Sequence, residues 1–130
     1  MTLASEFERV ISDIYYSLGG TINLIDAHEW FSVVPSTTIK KFFNIPFIFS
    51  IESLEDHRSN YARSPLNIAI KKIERLGIEE SCMIIVKSDW MKAEVKKIHD
   101  VSDEKIVLIS PSSPTWIKDI KEIYQSAIGK

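Results

Sequence analysis

Three short stretches of this chain are almost wholly apolar, and each is separated from the next by a segment of helical periodicity. They are Ile45-Pro46-Phe47-Ile48-Phe49-Ser50-Ile51, Met83-Ile84-Ile85-Val86 and Ile106-Val107-Leu108-Ile109, the last beginning at Lys105. A strand that is apolar on both of its sides must be covered on both faces, which is the condition of a parallel sheet and not of a half-solvated antiparallel one. A fourth strand, a short apolar one bounded by polar residues, is expected over Thr21-Ile22-Asn23-Leu24-Ile25-Asp26-Ala27.

The intervening segments carry apolar residues at three- and four-residue spacing, as amphipathic helices do. The first runs from Leu3 to Leu18 and stops at Gly19-Gly20. A second runs from Phe31 to Phe43, with Pro35 tolerable only in the first turn. A third opens at Ser64-Pro65, a capping hydroxyl before a proline at the first helical position, with Ile68, Ile70, Ile73 and Leu76 as its inward stripe. Gly77 would end or kink it. Ser88-Asp89 caps a helix to His99 with Met91, Val95 and Ile98 inward. Ser113-Pro114 opens the last, with Ile117, Ile120, Ile123, Tyr124 and Ile128 inward and Gly129 at its end. Strands alternating with helices in this way build an α/β fold, a three-layer α/β/α sandwich around a four-stranded parallel sheet, in one Rossmann-like domain over residues 1–130.

Composition narrows the function classes. Sixteen Lys+Arg against eighteen Asp+Glu leave a formal charge of -2, which does not supply the electropositive footprint of a nucleic-acid binder. Cys82 is the single cysteine, so an intrachain disulfide or a cysteine-rich zinc site is excluded and a reducing compartment is favoured. No apolar run approaches bilayer length and the first twelve residues carry Glu6, Glu8 and Arg9, so the expectation is a soluble cytoplasmic protein without a signal peptide.

In open parallel sheets ligands collect beyond the carboxyl ends of the strands. The residues there are Asp26, His28, Glu29 and Trp30; Glu52, Ser53 and Glu55; Lys87, Ser88 and Asp89; and Ser110, Ser112 and Ser113. Imidazole, carboxylates, an ammonium and hydroxyls beside an aromatic ring suit a polyhydroxylated ligand. No Gly-x-Gly-x-x-Gly or Walker-type loop is present to cradle a phosphate. His57 and His99 are expected to face solvent, Glu55 and Asp56 to belong to a solvated loop spanning Glu52 to Ser64, and Cys82 to behave as a small hydrophobe.

The run Ile25-Asp26-Ala27-His28-Glu29-Trp30 resembles the His-Asp-Trp motif that follows a central strand in glycogen and starch synthases and related GT-B glycosyltransferases. The similarity continues through Lys40-Lys41-Phe42-Phe43-Asn44 and the strand to Ile51, then Ser53-Leu54-Glu55 with Arg58. It extends to Ile84-Ile85-Val86-Lys87-Ser88-Asp89-Trp90-Met91-Lys92 and Lys105 to Ile109. Glu29 stands for the usual Asp, Glu52 for a common His, and Ser110-Pro111-Ser112-Ser113 for an Asn-Gly-(Ile/Val)-Asp sequence.

The resemblance implies the second half of the family's N-terminal, acceptor-side Rossmann-like domain. It makes His28 the residue that contacts the transferred sugar and Glu29, Trp30, Glu52, Ser53, Arg58, Lys87 and Ser88 the further candidates for saccharide binding. It implies no cofactor and no metal, and assigns no catalytic residue. The first strands with their Lys-x-Gly-Gly loop and the nucleotide-sugar domain have no counterpart in the sequence, so the chain is expected to be inactive alone. It is expected to pair with itself or with a partner chain carrying the donor site, through the edge of the Ile22 to Ala27 strand or the helix Leu3 to Leu18. The alternative is a non-catalytic interaction module that kept the scaffold and self-associates. A small independent enzyme using His28 and Glu52 as acid and base ranks last.

Overall fold

The structure, a computed structural model, describes residues 22–128. The helix expected over Leu3 to Leu18 and the stop at Gly19-Gly20 lie outside the described residues, as does Gly129. Within them the chain forms strands β1 (Ile25–His28), β2 (Phe47–Ile51), β3 (Met83–Val86) and β4 (Ile106–Leu108) and helices α1 (Val33–Phe43), α2 (Glu55–Arg58), α3 (Pro65–Glu80), α4 (Asp89–His99) and α5 (Trp116–Ile128). All strand pairs are parallel and the order is β1-β2-β3-β4, so each strand lies beside its neighbour in sequence.

The alternation of side chains along the strands divides the core in two. Ala27, Phe47, Phe49, Ile51, Ile84, Val86 and Ile106 point to the face covered by α1, α3 and α4. Ile48, Ile85, Val107 and Ile109 point to the opposite face, where α5 lays down Ile120, Ile123, Tyr124 and Ala127. The crossover helices thus share one layer and α5 forms the other, giving the expected three-layer sandwich.

Local chemistry explains the boundaries. Pro35 sits in the first turn of α1, after a 3-10 turn at Trp30–Ser32. The Ser64 and Ser88 hydroxyls accept from the backbone N–H groups of Asn67 and Met91, as N-caps do. Asn44 and Asp100 end α1 and α4 in the left-handed conformation, taking the position that glycine more often fills.

Several expectations are corrected. Gly77 does not end α3, which continues to Glu80. A Cβ at Gly77 would lie 2.7 Å from Phe49 Cε2 and from Val33 Cγ2, so the missing side chain is what lets α3 press against β2 and α1. The buried face of α3 is Glu74, Gly77 and Ile78, with Ile73 and Leu76 partly buried beside them, while Ile68 is exposed. In α5, Ile117 and Ile128 are exposed and Ala127 is the buried residue at the inner face. The polar stretch Glu52 to Ser64 is solvated only in part: Leu54, Glu55 and Asp56 are buried, with Asp56 accepting from Lys71 Nζ at 2.8 Å, while residues 60–64 are exposed. His99 is buried and His57 largely so, each bonded through Nε2 to a glutamate at 2.8 Å, His99 to Glu74 and His57 to Glu94.

Candidate functional site

The rim at the carboxyl ends of the strands exists, but the sheet divides it. Residues of even and odd number along β1 and β2 point to opposite faces, so neighbours in sequence part company there.

On the α5 face stand Asp26, His28, Ser50, Glu52 and Lys87. Asp26 is the hub. Its Oδ1 accepts from the Ser50 hydroxyl at 2.6 Å and lies 3.3 Å from His28 Nε2, and its Oδ2 accepts from the Tyr124 hydroxyl of α5. The His28 side chain is 55% exposed, so the carboxylate holds one edge of an imidazole that is open to a ligand. Burial, then the bond to Asp26 and its charge, push the Tyr124 phenol well above its ordinary range, so this hydroxyl stays a neutral donor. Lys87 donates to Glu52 across the tips of β2 and β3, both half exposed. That bond and the ammonium charge hold the Glu52 carboxyl below its ordinary value, with a smaller contribution from His28.

Beneath this polar row a cavity of about 330 Å³ opens between the sheet and α5, with Ile51, Ile85, Ile109, Pro111, Trp116 and Ile120 in its walls. The polar row is therefore the lip of an apolar pocket.

On the other face Glu29, Ser53 and Arg58 come together. Arg58 donates to Ser53 Oγ at 2.7 Å and through Nε and Nη2 to Glu55 Oε1 at 3.1 and 2.9 Å. Its guanidinium also lies 3.7 Å from Glu29 Oε2 and 3.6 Å from Glu74 Oε2. Glu74 in turn accepts from the Glu55 backbone N–H at 2.9 Å and is bonded to His99. A buried carboxylate held by a cation, an imidazole and an amide braces α2, α3 and α4 against one another. The Glu29 backbone, at φ 69 and ψ 162, adopts a conformation natural only to glycine, and Ser32 Oγ donates to the carbonyls of His28 and Glu29 across that turn.

Of the remaining candidates, Trp30 is half-buried and meets Phe31 edge to face, and Ser88 is the cap of α4. Trp90 is exposed and stacks on His57 at 4.9 Å between ring centroids. Three contributors to the α5-face site were not among the candidates read from sequence, Ser50, Trp116 and Tyr124, and Asp26 was placed at the rim but not as its hub. A readable signal exists for Asp26 and Ser50, which are polar intrusions in otherwise apolar strands. Among the described residues no cluster of His, Cys, Asp and Glu is arranged to hold a metal ion, and no helix is long and apolar enough to cross a membrane.

Comparison with known proteins adds to this geometry. The family model described as Glycosyltransferase Family 4 matches residues 6–112. An uncharacterized glycosyltransferase of Methanocaldococcus jannaschii is 28% identical over 106 residues, which is 82% of this chain and 27% of that protein. The chain thus spans about a quarter of the length of the relative it matches.

Proposed function

Since this chain belongs to Glycosyltransferase Family 4, with the match running through all four strands, we propose that its α5-face rim is the acceptor-side half of a sugar-transfer site. The observation that carries the reading is the row at the tips of three adjacent parallel strands, His28 held beside Asp26 and Glu52 paired with Lys87. Carboxylates take the hydroxyl protons of a sugar, while the ammonium and imidazole offer donors in return. Glu29, Ser53 and Arg58 border that row from the other side of the sheet.

The transferred group is a hexosyl unit from a nucleotide sugar, as in the glycogen- and starch-synthase-like enzymes that the motifs resemble. Stabilising the departing nucleoside diphosphate calls for preorganised cations. On the α5-face row the one ammonium, that of Lys87, is already paired with Glu52. The chain therefore acts with a second lobe that grips the donor, and by itself is inactive. β1 ends the sheet of the described residues on one side, and an open strand edge is a natural place for a second copy or a partner lobe to pair. A reducing, cytoplasmic setting fits the single cysteine.

Isothermal titration of the purified chain and of His28→Ala against maltotriose, UDP-glucose and ADP-glucose tests this. Saccharide heat in the wild type that is lost in the variant, with no nucleoside diphosphate released, is the expected result. Silence toward every sugar overturns the saccharide reading, and turnover of a nucleotide sugar by the chain alone overturns the half-site reading.

A further inference from the structure

The pocket under the rim has a chemistry that the rim does not. Its wall on β3, the segment after β4, and α5 is made by Ile85, Ile109, Pro111, Trp116 and Ile120. Its polar groups sit on the β1 side and satisfy one another: the Ser50 and Tyr124 hydroxyls both spend their protons on Asp26. A saccharide pushed into this space would place hydroxyls against isoleucine side chains with no partner, and a buried hydroxyl without a partner is destabilising. The groups with open hydrogen-bonding capacity, His28 and Lys87, are at the lip, where their side chains are 55% and 49% exposed.

Size points the same way. At about 330 Å³ the cavity is near the lower end of ligand pockets, which run from roughly 300 to 1,000 Å³, and it holds one aromatic ring or a short alkyl chain, not an oligosaccharide.

We infer that this pocket takes the apolar body of the acceptor, an aryl or short alkyl alcohol whose oxygen is presented to His28 while the sugar it receives lies along the lip. This deepens the proposed acceptor-side function and rests on it. Burial of the ring supplies affinity, the paired polar side fixes which end enters, and Trp116 in the wall offers its ring to the body.

The test compares matched ligands that differ only in the aglycone. The ¹⁵N-labelled full chain is titrated with the 4-nitrophenyl and methyl glycosides of glucose, mannose and galactose, and with 4-nitrobenzyl alcohol. At least one 4-nitrophenyl glycoside is expected to shift the amides of Ile85, Ile109 and Ile120 and the Trp116 indole N–H, with a Kd about tenfold below that of its methyl partner. 4-Nitrobenzyl alcohol is expected to move the same signals. Trp116→Ala, at a position 41% exposed, weakens the aryl ligand about fivefold and leaves the methyl glycoside unchanged, with a retained amide spectrum showing that the variant is folded.

Equal affinities within each matched pair, or shifts confined to His28 and Lys87, overturn the inference while the saccharide site stands. A chain that no glycoside perturbs overturns the inference together with the saccharide reading.

Discussion

The hydroxyl of Tyr124 donates to Asp26 Oδ2 across a sequence separation of 98 residues, tying the last helix to the first described strand. That bond closes the far end of α5 over the sheet and holds the carboxylate beside His28. Replacing Tyr124 by Phe removes the donor and leaves Asp26 with Ser50 and the imidazole. Urea unfolding of Tyr124→Phe is expected to show a loss of about 1 kcal/mol, the scale of a single partly exposed bond to a charged acceptor.

The same phenol predicts an alkaline limit. Its affinity for its proton is higher in the folded chain than in the unfolded one, so its contribution to stability is complete below the ordinary tyrosine value of 10.0 and is lost as pH rises above it. Unfolding midpoints measured between pH 9 and pH 11, about that ordinary value, should fall more steeply for the wild type than for Tyr124→Phe. Parallel curves would show that neither burial nor Asp26 holds this proton.

Glu29 carries backbone strain that a glycine would release. The variant Glu29→Gly is expected to be more stable than Glu29→Ala by about 1–2 kcal/mol, since both remove the side chain and only one relieves the positive φ. Chemical denaturation of the two variants reads this difference directly. Ala as stable as Gly would mean that the turn is unstrained.

Two acid–base pairs of the chain should differ sharply in worth. Glu74 is 1% exposed and bonded to His99, so Glu74→Ala strands a buried imidazole and an amide and is expected to cost about 3–5 kcal/mol. Glu52→Ala breaks a half-exposed pair with Lys87 and is expected to cost less than about 1 kcal/mol. In an NMR titration the Glu52 carboxyl should ionise below its ordinary value of 4.5, and Lys87→Met should return it there. The stability it lends is present above that value and fades as pH falls through the lowered one.

Gly77 presents a conflict between helix propensity and packing. Alanine is favoured over glycine inside a helix by about 1 kcal/mol, yet the new methyl would sit 2.7 Å from Phe49 and Val33, both fully buried. Overpacking is expected to win, with Gly77→Ala less stable by about 1–2 kcal/mol in thermal or urea unfolding. A stabilised variant would show that α3 can lift away from β2 at little cost.

Much of the scaffold was legible because it rests on local rules. The run Met83-Ile84-Ile85-Val86 is β3 to the residue, Ser64 and Ser88 cap the helices they were expected to cap, and Pro35 falls in a first turn. The same rules led α3 and α5 astray, since a periodicity argument assigns the inward face to apolar residues. It cannot see that Glu74 is inside while Ile68 and Ile117 are outside, because what admits Glu74 is a histidine 25 residues away. The site followed the same division. His28, Glu52 and Lys87 were found at the strand tips, where topology alone places them. Glu29, Ser53 and Arg58 were grouped with them, although alternation along the strand sends Glu29 and Ser53 to the opposite face, where Arg58 joins them. Tyr124 escaped notice as part of the site because its partner lies at the other end of the sequence.

The pocket has α5 as its only helical wall among the described residues, and that helix is laid across the sheet from β4 back to β1. During synthesis the four strands and their crossovers emerge from the ribosome before it, so a nascent chain stalled ahead of Trp116 carries the whole rim and no enclosed space beneath it. The pocket is thereby closed only once translation has passed Ile128.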